Sequence, residues 1–345
     1  MYGNVQWDDA ACAWGAFWAC DCLNRPGIQI WYPNGFHRHK APVEAPWRLW
    51  NDPTAFLSRH MPPAMDCLGE GFRVMYPNWC GIEETLDTDL SYDPETIWVH
   101  PKSGGLEAID FSRVSQDSPA VIRLLRFLTH CAREAQGEWF MGLPPMGNAG
   151  DTIARMRSYG AYCEDLYDAP GLVEVKEMQL ATVWRMLFAA VADALSPLQS
   201  GSCGWLPSWY EGRLLLLEFD FCALISPEHF KLFVPAMERR ADLAGRTIFH
   251  LDGPGALSHL DMILSLPFVD AIQALPGAGV SDVLEWLPVY HKIQKAGKAL
   301  YVGNSVTEPE AHALLKALRP EGLMLPVSFD SRDAAYRFAE KTYVI

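Results

Sequence analysis

Two stretches of the chain carry side chains whose types and spacing could do chemistry. Thr247-Ile248-Phe249-His250-Leu251-Asp252-Gly253-Pro254-Gly255 reads as a strand running into a sharp turn. Side chains alternate along a strand, so His250 and Asp252 share one face, roughly 6–7 Å apart by the rise per residue. An imidazole and a carboxylate placed in this way can chelate a metal or work as an acid/base pair. The plainer alternative is a buried histidine bonded to the turn, with Asp252 capping the next helix. Leu215-Leu216-Leu217-Glu218-Phe219-Asp220-Phe221-Cys222 puts Glu218 and Asp220 on one face of a second strand. A buried carboxylate without a partner is costly, so Asp220 at the strand end calls for a donor or a substrate. A loop-ordering role is its alternative, and Glu218, inside the strand, reads as structural.

Other spacings are weaker. Cys20-Asp21-Cys22 and His37-Arg38-His39 are each separated by one residue, whereas zinc ribbons place Cys-x-x-Cys on turns. Gly277-Ala278-Gly279 could offer backbone N–H groups to an anion, and a plain strand-to-helix turn is the favoured alternative. No Walker loop, GxGxxG after a strand, HExxH or GxSxG occurs.

The elements that must position these groups alternate. From about residue 118 onward, helices (Ala120–Ala135, Thr152–Tyr159, Gly171–Leu195, Pro227–Leu243, Ala256–Leu264, Val280–Lys295, Pro309–Leu318, Arg332–Lys341) interleave with short apolar strands. The strands are Glu138–Leu143, Arg213–Asp220, Arg246–Asp252, Val269–Leu275, Ala299–Gly303 and Gly322–Val327. This rhythm means parallel β/α units, and so many in one run favour a closed (β/α)8 TIM barrel over an open sheet. Residues 116–345 form the predicted barrel core. Residues 1–115, rich in Trp and Pro, form an N-terminal elaboration packed on it, with a helix over Asp9–Leu23 and strands at Ile28–Trp31 and around Trp98.

In such a barrel the working face lies at the C-terminal strand ends. Those ends carry Glu218 and Asp220, His250 and Asp252, Gln273, Gly303-Asn304, and Ser328 with Asp330. Candidate catalytic residues are therefore His250, Asp252 and Asp220, with His250 and Asp252 as candidate metal ligands. Gln273, Asn304, Trp98 and Trp31 are the candidate substrate-binding residues, and Trp79 is a further candidate pocket wall.

Half of the 345 residues are hydrophobic, enough for a large core, and the formal net charge is −14. That balance disfavours nucleic acid, whose binding requires a basic patch. Nine scattered cysteines are not a disulfide framework, and the most apolar stretch, Leu214–Ile225, is too short to span a bilayer. The expectation is a soluble cytoplasmic protein with no membrane partner.

Leu224-Ile225-Ser226-Pro227-Glu228-His229-Phe230, Phe249 to Gly255, and Asp270-Ala271-Ile272-Gln273-Ala274-Leu275-Pro276-Gly277-Ala278-Gly279 resemble the uroporphyrinogen decarboxylase-like superfamily. Gly147-Asn148 with Asp151, and the Thr96-Ile97-Trp98 region, extend the resemblance, which covers most of residues 95–345. It implies a (β/α)8 barrel with its pocket at the strand C-termini.

The superfamily also contains the zinc-dependent methylcobamide:thiol methyltransferases, in which a His-x-Cys pair and a later Cys hold zinc. Here His250 matches the His, but Asp252 stands at the Cys position, and Met324-Leu325-Pro326-Val327-Ser328-Phe329-Asp330 has no Cys. The decarboxylase branch binds its many-carboxylate substrate with an Arg-rich N-terminal segment. Here Arg25, Arg38, Arg48, Arg59 and Arg73 are scattered singly. The chain thus resembles a divergent member outside both branches.

Three functions follow from the resemblance and the residues. The first is metal-assisted methyl transfer on a small-molecule substrate at the barrel mouth, with zinc as the metal and a corrinoid, carried by a corrinoid protein, as methyl donor. The second is cofactor-free decarboxylation, a lyase reaction. The third is a non-catalytic ligand-binding barrel.

Overall fold

The computed structural model describes residues 7–23, 25–33, 53–54, 65–92, 97–102, 104–277, 282–303 and 305–343. Its strands are β1 (Gly27–Pro33), β2 (Met65–Gly69), β3 (Val74–Met75), β4 (Asp89–Tyr92), β5 (Ile97–His100), β6 (Phe140–Met141) and β7 (Ser202–Cys203). They continue with β8 (Trp209–Tyr210), β9 (Leu214–Leu217), β10 (Arg246–Asp252), β11 (Ala271–Leu275), β12 (Ala299–Val302) and β13 (Leu323–Ser328). Seven form one sheet in the order β2-β1-β13-β12-β11-β10-β9. It is parallel throughout except for β2, which runs antiparallel to β1.

β3 pairs in parallel with β6, and a single parallel bridge joins Leu143 to Gly204. The fold is thus α/β with a central, mostly parallel sheet. Among the described residues no closed ring of hydrogen-bonded strands is found. β1 and β2 both come from residues 1–115, so the sheet draws strands from either side of residue 116.

Strand alternation sorts the core into two layers. Leu215, Leu217, Phe249, Leu251, Ile272, Leu300, Val302, Leu325 and Val327 join the helices in the larger core. Leu214, Ile248, Ala271, Ala299, Tyr301 and Met324, from the opposite strand face, join a second core. That second core is completed by Trp14, Phe17 and Trp18 of the helix Trp7–Trp18. Ala271 and Ala299 open their strands, so this helix covers the N-terminal strand ends. A polar strut crosses the same face: Tyr301 Oη donates to Gln29 Oε1 at 2.5 Å, and Gln29 Nε2 donates to the Pro207 carbonyl at 2.7 Å. The polar groups needed for chemistry are left to the opposite, C-terminal ends.

Several predicted elements are shorter than the periodicity suggests. The predicted helix 227–243 divides into Pro227–Phe230, a 3-10 turn at Lys231–Phe233, and Val234–Ala241. Pro235 lies in the first turn of the last piece and has no N–H with which to continue the preceding one. Ser226 does cap the first piece, accepting from His229 N at 3.3 Å. The predicted helix 152–159 ends at Arg157, because Ser158 adopts φ 75° and accepts from Ala161 N to start the helix Tyr159–Asp168.

The helix Pro170–Leu195 is long and apolar enough to cross a membrane by length and composition. It packs instead as a core helix. Glu177 is fully buried in its middle, accepting from Tyr162 Oη at 2.9 Å and from Gly150 N at 3.1 Å.

Candidate metal centre

β9, β10 and β11 are neighbours in the sheet, so their C-terminal ends deliver side chains to one place. His250 and Asp252 follow Ile248 on the inner face of β10, and His250 is aligned with Gln273 of β11. Asp220 opens the 3-10 turn Asp220–Leu224 just beyond β9. One ligand atom from each of Asp220, His250 and Asp252 lies within 4.8 Å of the other two. His250 Nε2 is 3.9 Å from Asp220 Oδ1.

The orientation of His250 is fixed from behind. Gln273 Nε2 donates to the Gly303 carbonyl at 3.1 Å, which turns the amide oxygen toward the imidazole. His250 Nδ1 lies 2.7 Å from that oxygen and must donate to it. In the neutral ring the lone pair is then on Nε2, the atom facing Asp220. An outer partner that sets tautomer and ring direction is the arrangement metal-binding histidines use. On the other side the Trp205 ring meets the imidazole edge to face, with centroids 5.1 Å apart at 90°.

Each acid has a different environment. Asp252 Oδ1 is buried without a hydrogen-bond partner. A buried acceptor of this kind is costly unless something else satisfies it. Asp220 is 57% exposed at the rim, and partial desolvation together with the charge of Asp252 pushes its carboxyl upward. Glu218 accepts from Asn148 Nδ2 at 2.6 Å and from Trp205 Nε1. Burial, helped by the charge of Asp220, raises its carboxyl to about 6, with His250 and the Trp205 N–H pulling the other way.

The turn that carries Asp220 rests on Asp151, which is buried at the start of the helix Asp151–Arg157. Next to Asp252, Gly253 and Gly277 both have positive φ (72° and 80°), and the two loops touch there. A Cβ on Gly277 would lie 2.7 Å from the Gly253 Cα and 3.5 Å from Asp252 Oδ1.

The structure therefore gathers His250, Asp252, Asp220 and Gln273. Trp31 packs instead with Trp7 around Ala10 and Cys67, on the antiparallel partner strand and the N-terminal helix. Trp98 stands on the β4–β5 hairpin, apart from the central sheet and 56% exposed. Trp79 is buried in the larger core, with its ring over Gly81. Asn304, His37 and His39 lie outside the described residues. Sequence reasoning overlooked Trp205 and assigned Glu218 a structural part. The alternation did place Glu218 on the Asp220 face, but its partner Asn148 is 70 residues away.

No family model matches the chain, and no curated protein matches it. Seven chains of known structure do. Among them is a methyltransferase from Methanosarcina mazei, 11% identical, with a TM-score of 0.63 over 97% of this chain and 99% of that one. The likeness is one of fold across the whole length.

Proposed function

We propose that the chain is a (β/α)8-barrel enzyme of the uroporphyrinogen decarboxylase-like superfamily that performs metal-assisted methyl transfer on a small substrate. The observation that carries this reading is the convergence of one ligand atom each from His250, Asp220 and Asp252 within 4.8 Å, with Asp252 Oδ1 buried and unpaired. An imidazole nitrogen and two carboxylates fit a divalent ion, zinc included, and match a three-ligand site that keeps a position for substrate. The likeness in fold to a methyltransferase supports the reaction class.

His250, Asp220 and Asp252 would hold the ion. When bound it supplies Lewis-acid chemistry, lowering the pKa of a group placed beside it. Gln273 keeps the Nδ1 proton in place, so that the Nε2 lone pair faces Asp220. Trp205, held by Glu218, walls one side of the imidazole. Glu218, its carboxyl raised to about 6, can take up and release a proton beside the reacting groups. A corrinoid protein is the proposed methyl donor.

The test is metal analysis of protein purified without chelator, together with demethylation of methylcobalamin followed by absorbance. One equivalent of metal, lost with activity in His250→Ala, supports the proposal. Full activity in metal-free protein contradicts it.

A second reading, decarboxylation without metal, would use Glu218, which Asn148 and Trp205 hold next to the imidazole. A carboxyl near 6 can deliver a proton to the carbon that loses carbon dioxide. It requires carbon dioxide release that a chelator leaves unchanged.

A further inference from the structure

We propose that the ligand this metal centre accepts is a small oxygen-donor chelate, an alkoxide-, phenolate- or hydroxamate-like group, and not a thiol. The proposal rests on the metal reading above and adds what the ion would bind. Its ground is the donor set. His250 contributes one nitrogen, and Asp220 and Asp252 contribute oxygens. Among the described residues no thiol joins them. Cys222, two residues beyond Asp220, is buried in the larger core and supplies no atom to the cluster.

The choice of donors decides the character of the ion. Thiolates give electron density to a metal and suit soft ions, whereas carboxylates suit harder ones, and a harder ion favours oxygen donors over sulfur. Two carboxylates and a neutral imidazole also bring the charge of a bound dication to zero.

The shape of the site agrees. Three protein ligands leave at least one coordination position, and two if the ion is five-coordinate. Asp252 and His250 sit on the strand floor, partly buried, while Asp220 is 57% exposed. A ligand reaching the ion would therefore come from the Asp220 side, which faces solvent. Trp205 stands over the imidazole on the flank, where a flat or aliphatic part of the ligand would pack. Trp205 is itself tied down by Glu218, and Glu218 by Asn148, so this wall is pre-set for a compact ligand.

The experiment uses the full chain, stripped with chelator and loaded with Co2+, whose visible spectrum reports its ligands directly. Acetohydroxamate and 2-mercaptoethanol are the two probes. The expected result is that acetohydroxamate shifts the cobalt d–d bands at one equivalent per site, while 2-mercaptoethanol produces no sulfur-to-cobalt charge-transfer band. Asp252→Cys restores one thiolate, and that variant is expected to raise Cd2+ affinity relative to Mn2+ by about tenfold or more. A charge-transfer band with 2-mercaptoethanol, together with an acetohydroxamate-silent spectrum, overturns the proposal while leaving the metal reading intact. Failure of the wild-type chain to bind Co2+ at all overturns both.

Discussion

Asp151 accepts the backbone N–H of Asp220 at 3.1 Å and that of Phe221 at 2.6 Å, although it lies 69 residues before Asp220. Both carboxylate oxygens are used, so the turn that aims Asp220 at His250 is held by one buried side chain. Asp151→Asn leaves one of these N–H groups facing an amide NH2. We expect a loss of about 1–3 kcal/mol in stability, from one unpaired buried donor. We also expect metal affinity to fall by roughly tenfold, as for other outer-shell partners. Urea denaturation and Co2+ titration of the same variant check the two effects. Unchanged cobalt affinity in a destabilised variant would show that the turn is not what presents Asp220.

Gln273 makes a separable prediction. Its amide fixes the imidazole tautomer, and Gln273→Leu removes the acceptor for Nδ1–H. Metal affinity should drop by about 10–100-fold. Gln273→Glu keeps an acceptor and should retain most of it. Calorimetric titration of both variants decides, and equal losses in the two would count against a tautomer role.

The candidate site was partly legible in the residues. Two-residue alternation alone puts His250 with Asp252, and Glu218 with Asp220, on shared faces, and neighbouring strands bring the two pairs together. Alternation says nothing of what stands opposite a face. Trp31 is on β1 where a pocket wall was expected, yet its neighbours are Cys67 and the N-terminal helix. Trp205 lies in an irregular loop after β7, where no period marks it. Asp151 and Asn148 act on residues about seventy positions away. Such contacts are settled by the packing of whole units, and short-range pattern does not encode them. The central parallel sheet, by contrast, follows from the strand-helix rhythm. The early ends of helices follow from local chemistry, as at Pro235 and Ser158.

Glu218 predicts a pH dependence. Its carboxyl is raised in the folded protein, from 4.5 to about 6. Folding therefore favours the protonated form. The stability this contributes is complete below the unfolded pKa and is lost as pH rises through about 6. Above that, the charged, partly buried carboxylate weighs against folding by about 1–2 kcal/mol. Glu218→Gln, compared with wild type in metal-free protein, should gain that amount in relative stability between about pH 4 and about pH 8. A difference independent of pH would contradict the assigned environment.

The helix Trp7–Trp18 should be required for folding and dispensable for the site chemistry. Trp14 is fully buried in the second core, and its Nε1 donates to the Glu70 carbonyl at 3.3 Å. Trp14→Ala should cost about 3–5 kcal/mol. Trp14→Phe should cost less, and the fraction that remains folded should bind metal as wild type does. Thermal denaturation with and without Co2+ tests this.

The most direct test of the central claim is anomalous diffraction from crystals soaked in Zn2+ or Co2+, collected on both sides of the metal edge. The predicted result is one strong peak about 2.0–2.2 Å from His250 Nε2 and from one oxygen each of Asp220 and Asp252. No peak there, or a peak only at Cys20 and Cys22 or at His37 and His39, would contradict a metal centre at the ends of β9 and β10.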